Sequence, residues 1–139
     1  MRSIILRLLL LPLAAAMSGC GGTINDLPTT PTPVPVTETF TGTININGAE
    51  TQNVFTGATG AVIATITSLG DNPPAKIGFS MGTLATTGNC SAVITKDDAV
   101  VTTALTGTVS SLAGSLCVRV YDVGALTESV PYTFTVTHP

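Results

Sequence analysis

Between Val130 and Thr137 the chain reads VPYTFTVT, with Tyr132, Phe134 and Val136 on one parity and Thr133, Thr135 and Thr137 on the other. Strict alternation is the mark of a strand with one face in a core and the other in water. Threonine suits the wet face, because it is β-branched and carries a hydroxyl. The same pattern returns elsewhere. Phe40, Gly42, Ile44 and Ile46 alternate with Thr41, Thr43 and Asn45; Ile77, Phe79 and Met81 form another stripe; Leu116, Val118 and Val120 alternate with Cys117, Arg119 and Tyr121. No window of about 11 residues beyond the amino-terminal segment shows a 3.6-residue period, so the sequence predicts an all-β domain with essentially no helix after that segment.

The turn signals divide the rest. Asn47-Gly48 is expected to close a tight hairpin with a pair of positive φ angles. A second strand is expected over residues 51–56 with Val54 and Phe55 packing, and Gly57 to Gly60 break it. Residues 61–69 are apolar on both parities (Val62, Ile63, Ile66), as expected of a strand between two covered faces. Gly70-Asp71-Asn72-Pro73-Pro74 reads as a loop. Gly82 to Asn89 is loop or edge, followed by a strand over 91–95 that Asp97-Asp98 turns into 99–106. Gly107 and a loop over 110–115 precede the Val118 strand. If Leu116, Val118 and Val120 face the core, Cys117 points outward. Seven to nine strands in residues 38–139 predict a single jelly-roll-like or immunoglobulin-like β-sandwich.

Three short stretches carry a resemblance. Phe40-Thr41-Gly42-Thr43-Ile44, the run from Ala113 to Asp122 (AGSLCVRVYD) and Val130-Pro131-Tyr132-Thr133-Phe134-Thr135-Val136 resemble strands of the bacterial pre-peptidase C-terminal domain. That resemblance implies a jelly-roll-like sandwich of the kind appended to secreted enzymes as a non-catalytic module. The chain departs from the family pattern between Gly48 and Phe55, where an acidic turn and an aromatic are expected.

The amino terminus carries a second resemblance. Arg2 and Arg7 accompany an apolar run from Ile4 to Ala16, which ends in Met17-Ser18-Gly19-Cys20. A positive start, a short apolar segment and a small-residue exit describe a helical secretory signal peptide over residues 1–19. The Cys after Ser-Gly resembles the lipobox of bacterial lipoproteins, with Met17 where Leu is commoner. That resemblance implies cleavage before Cys20, diacylglyceryl on its sulfur and anchoring in a membrane through acyl chains. Gly21 in place of Asp implies the outer membrane, on its periplasmic or surface face. From Thr23 to Thr37 a proline recurs every few residues, which fixes φ and removes backbone donors. Residues 20–37 therefore read as a lipidated Cys and a semi-rigid tether, with a reach of roughly 45 Å over the Thr/Pro tract.

Once residues 1–19 are removed, Lys76, Lys96 and Arg119 face all eight acids. So acidic a chain argues against nucleic acid, which needs a basic patch to displace counterions. It argues equally against electrostatic docking on anionic lipid. With Cys20 acylated, Cys90 and Cys117 remain as a pair in an exported protein, where an oxidising compartment favours a disulfide between them. No Cys-x-x-Cys is present and the single His is His138, so no metal or redox centre is expected.

Three constellations touch on function. Gly78-Phe79-Ser80-Met81-Gly82 matches G-x-S-x-G, and the order Ser80, Asp97 or Asp122, His138 matches that of α/β-hydrolases. The motif works where a strand turns sharply into a helix, yet Thr83 to Gly88 holds no amphipathic helix. Ser80 thus reads as a strand residue, and an envelope serine hydrolase is the lesser alternative. Asp71-Asn72 and Asp97-Asp98 offer oxygens to Ca²⁺ but lack the density of a dedicated loop. Tyr121 beside Arg119 is the one candidate for stacking on a sugar, which defines a lectin-like alternative. The leading expectation is a non-catalytic, lipid-anchored envelope module without a cofactor, partnered by an envelope protein or polysaccharide the sequence does not name.

Overall fold

The computed structural model describes residues 31–111 and 114–139. Among these the chain forms eight strands and no helix: β1 (Val36–Ile44), β2 (Ala49–Thr56), β3 (Gly60–Ser68), β4 (Ile77–Leu84), β5 (Cys90–Ala99), β6 (Ala104–Val109), β7 (Gly114–Tyr121) and β8 (Val130–His138). They build two antiparallel four-stranded sheets, ordered β1-β8-β3-β6 and β2-β7-β4-β5. The pairs β1–β8, β2–β7, β3–β6 and β4–β5 follow from doubling the chain back on itself between β4 and β5. Rolling that long double ribbon then brings β3 beside β8 and β4 beside β7. This is the jelly-roll form of the sandwich, and it decides between the two architectures that alternation left open.

Alternation sets the inner faces as expected. Ile44, Val54, Val62, Ala64, Ile66, Phe79, Val118, Val120, Phe134 and Val136 are buried between the sheets. Phe134 sits at the centre, with its ring 5.2 Å from Phe40, 5.8 Å from Tyr132 and 5.8 Å from Phe79 of the facing sheet. Full burial of a side chain of this class stabilises by ~1.5–3 kcal/mol, so one aromatic cluster couples β1, β4 and β8. Tyr132 lies across Gly42, where a Cβ would come within 2.6 Å of the ring, and its hydroxyl accepts a hydrogen bond from Gln52 Nε2 at 3.2 Å. That contact ties the two sheets together beside β1 and β2.

Several local expectations are corrected. Asn47-Gly48 closes no hairpin, because β1 and β2 lie in different sheets. Of the two residues only Asn47 has a positive φ (55°), and Gly48 N–H donates to Asn45 O at 2.8 Å. A single positive φ at the third position is the pattern of a type II turn, which here carries the chain around a corner. Phe55 faces solvent at 67% exposure while Val54 packs, since neighbours in one strand cannot share a face. Ile63 is likewise 40% exposed, so β3 is covered on one face rather than two. Val36 and Thr37, expected in the tether, are strand residues. Asp97-Asp98 makes no turn: both lie in β5, where Phe79 pairs with Lys96 and Ile77 with Ala99, leaving an extra residue on β5 as a bulge. The turn comes later, where Thr103 N–H donates to Val100 O at 3.0 Å and Thr102 has φ 77°.

Candidate functional site

The outward face of the sheet β2-β7-β4-β5 holds most of the residues singled out for chemistry. Gly78, Ser80 and Gly82 share the outward parity of β4, opposite Tyr121, Arg119 and Cys117 of β7. Each glycine of the G-x-S-x-G run has another group lying on it. The Tyr121 ring lies on Gly78, so that a Cβ there would overlap it. The Tyr121 hydroxyl reaches across β4 to donate to Asp97 Oδ1 on the bulge of β5. Over Gly82 the backbone of β5 itself folds across the sheet: a Cβ would overlap the Ser91 carbonyl oxygen and stand 2.7 Å from the carbonyl carbon.

This crossing explains the disulfide. Cys117 pairs in register with Gly82, and β4 separates β7 from β5. The first residues of β5 bend over Gly82 and bring Cys90 within 5.7 Å of Cys117, Cα to Cα, where the two sulfurs are bonded. Cys117 has the outward parity expected of it but is fully buried beneath that bend; Cys90 is half-buried. Access to the bond is therefore from the Cys90 side alone.

Ser80 is 2% exposed in mid-strand, between Thr95 of β5 and Arg119 of β7. It stands at no strand-to-helix turn. His138 is buried at the end of β8 in the other sheet, with Nε2 3.8 Å from Glu38 Oε2 and Nδ1 3.2 Å from the Pro139 carbonyl. The body of the β2-β7-β4-β5 sheet separates the outward Ser80 from that inward-facing imidazole, and the fold does not assemble the two. Tyr121 is similarly committed. Burial first, then the hydrogen bond and the negative charge of Asp97, push its phenol up to about 12, against the opposing pull of Arg119. The phenol thus stays a donor at neutral pH, and the Arg119 guanidinium stands over its ring at 5.4 Å from the centroid.

Asp122 is the residue to which sequence reasoning assigned no role. It follows β7 and holds the corner. Oδ2 accepts the Asn47 N–H at 2.8 Å, while Oδ1 accepts N–H groups of Gly124, Ala125 and Leu126 at 2.8, 2.9 and 3.1 Å. Its own N–H donates to the Gly48 carbonyl at 2.9 Å. The Asn47 bond, the largest cause, with those from Ala125, Leu126 and Gly124 holds the carboxyl below its ordinary value against the opposing effect of desolvation. A depressed carboxylate lends stability that is present above the unfolded pKa of about 3.9 and is lost as pH falls through the folded value. Asp122→Ala is therefore expected to lower the thermal midpoint at pH 7. The gap to wild type should narrow as pH falls through the lowered folded value, below the ordinary carboxyl range, as read by circular dichroism melts across pH; a pH-independent gap would contradict the clamp.

Among the described residues no group of three His, Cys, Asp or Glu side chains converges to hold a metal ion. Asp71 is exposed, and Asn72 Nδ2 lies 3.5 Å from Glu128 Oε1 as a loop contact. Near β5 and β6 an apolar recess of about 160 Å³ opens between the sheets, lined by Val62, Met81, Ile94, Val109 and Leu116. Met17 to Cys20 lie outside the described residues. No described helix is long and apolar enough to cross a membrane. Compared with models of known protein families and with curated proteins, the sequence matches none.

Proposed function

We propose that the chain is an exported lipoprotein whose jelly-roll domain serves as a non-catalytic binding or structural module of the bacterial envelope. The observation that carries this reading is the Met17-Ser18-Gly19-Cys20 junction, which closes an apolar run and opens a Thr/Pro tract. The bonded Cys90–Cys117 pair supports it, since such a bridge persists in an oxidising compartment. So does the outward face of the β2-β7-β4-β5 sheet, whose Ser80 is buried and whose Tyr121 and Asp97 are hydrogen-bonded to each other. The jelly roll agrees with the architecture implied by the resemblance to pre-peptidase C-terminal domains, which belongs to the same proposal. On this reading Cys20 carries the acyl chains, Gly21 directs the protein to the outer membrane, and Thr23 to Pro35 set the domain off the bilayer.

Cys20→Ser tests the anchor. In a producing bacterium fed a labelled fatty acid, the wild-type chain is expected to take up label and partition into detergent. The variant is expected to lose all label and to remain uncleaved or leave the membrane fraction. A processed variant that still partitions into detergent would overturn the reading.

A further inference from the structure

The four exposed strand edges of the sandwich are not alike. An edge strand offers a row of unpaired N–H and C=O groups to any other strand, and folds that avoid such pairing blunt it with bulges, charges or brevity. On one side of the molecule both edges are blunted. β5 carries two register shifts against β4, together with Lys96, Asp97 and Asp98, and β6 is only six residues long with Gly107 in it. On the other side neither is. β1 pairs with β8 over nine residues and β2 with β7 over eight, both without a register shift. Their only charges are Glu38 and Glu50. Exposed apolar side chains lie on or beside these strands at Val34, Val36, Ile46 and Phe55, while the β5 side carries Val93 and Val100.

We infer that the β1/β2 side is an interface for a second copy of this chain, paired edge to edge. A two-fold axis perpendicular to the sheets sets β1 against its own copy and β2 against its own copy, both antiparallel, and so extends both sheets at once. Such a contact is isologous and closes as a dimer. The charges allow it. Antiparallel self-pairing sends Glu38 toward the Gly42 end of the partner strand and Glu50 toward the Thr56 end, so no like charges stand opposite one another. The two amino-terminal ends then leave at opposite ends of the paired strands, ~30 Å apart for a nine-residue strand. That span is within the ~40 Å reach of a tether running from Thr23 to Pro35, and both chains can be tethered to one surface.

The test uses the full chain extracted in mild detergent. Sedimentation is expected to find a particle of two chains. Lysines placed on the exposed positions Thr39, Thr41, Thr51 and Asn53 (T39K/T41K/T51K/N53K) should weaken self-association at least about tenfold through like-charge apposition. The control Thr95→Lys/Thr106→Lys on the blunted side should leave it unchanged, with circular dichroism showing all three proteins folded. An independent measurement needs no destabilising variant: a photo-crosslinker at Thr41, in producing cells, is expected to give a product of twice the chain mass. A wild-type monomer, a dimer that survives the four lysines, a control that dissociates equally, or crosslinks solely to a different protein would each overturn the inference.

Discussion

Gly82→Ala is expected to destabilise the domain by about 3 kcal/mol or more, an unusually large loss for one added methyl group. The new Cβ would fall on the Ser91 carbonyl, and Ala92 Cα would stand 2.8 Å away. Both are backbone, so no rotamer change can make room; β5 must lift off β4. Urea denaturation reads the effect as a lower midpoint. Gly57→Ala is the control, since a Cβ there meets nothing within 4 Å. A loss for Gly82→Ala no larger than that of the control would mean that β5 does not cross β4 as described. Because the motif is also the place where a nucleophile would sit, the same variant separates packing from chemistry: stability should fall whatever is assayed.

Replacing Cys90 and Cys117 together by Ser is expected to lower stability by ~2–4 kcal/mol, chiefly by freeing a denatured loop whose ends lie 27 residues apart. That is a large fraction of the total of a typical domain. Chain entropy is only part of the expectation, because the bridge also pins the bend of β5 over Gly82. Freed of it, β5 can shift outward, and Gly82→Ala should then cost less in the Cys-free background than in the wild type. A double-mutant cycle in urea measures that coupling, expected at about 1 kcal/mol for groups in direct contact. Strict additivity would show that the bend holds without the bridge. Titration of two free thiols in protein purified without reductant would remove the bond itself. Since Cys117 is fully buried and Cys90 half-buried, reductant should act faster as denaturant opens the β5 end.

The role of Asp122 shows where sequence reasoning about the site ran short. The order Ser80, Asp97 or Asp122, His138 names it only as one of two acids in a hydrolase-like pattern that fails for want of a helix after Ser80, and so leaves it without a role. Its oxygens are in fact spent on four backbone N–H groups across two loops. An aspartate preceding Val-Gly-Ala can be read locally as a turn residue, because Asx side chains bond to N–H groups a few positions on. The bond to Asn47, 75 positions away, has no local sign.

What the sequence determined by itself was whatever depends on neighbours in the chain. Period 2 marked the inward faces of β1, β4, β7 and β8, because alternate side chains of any strand point to opposite sides. Elimination paired Cys90 with Cys117. Proline density kept residues 20–37 out of the expected fold, of which Val36 and Thr37 proved to belong to β1. The tertiary structure decided everything that depends on which strand lies beside which. Alternation tells a strand its face but not its partner, so β1 beside β8 and β2 beside β7 could not be read from it. Asn47-Gly48 suits a corner as well as a hairpin, since the local backbone turn is blind to whether the next strand joins the same sheet or the facing one. For the same reason Gly78 and Gly82 looked like a catalytic motif: the groups that require them to be glycine, the Tyr121 ring and the Ser91 backbone, arrive only when the sheet has formed.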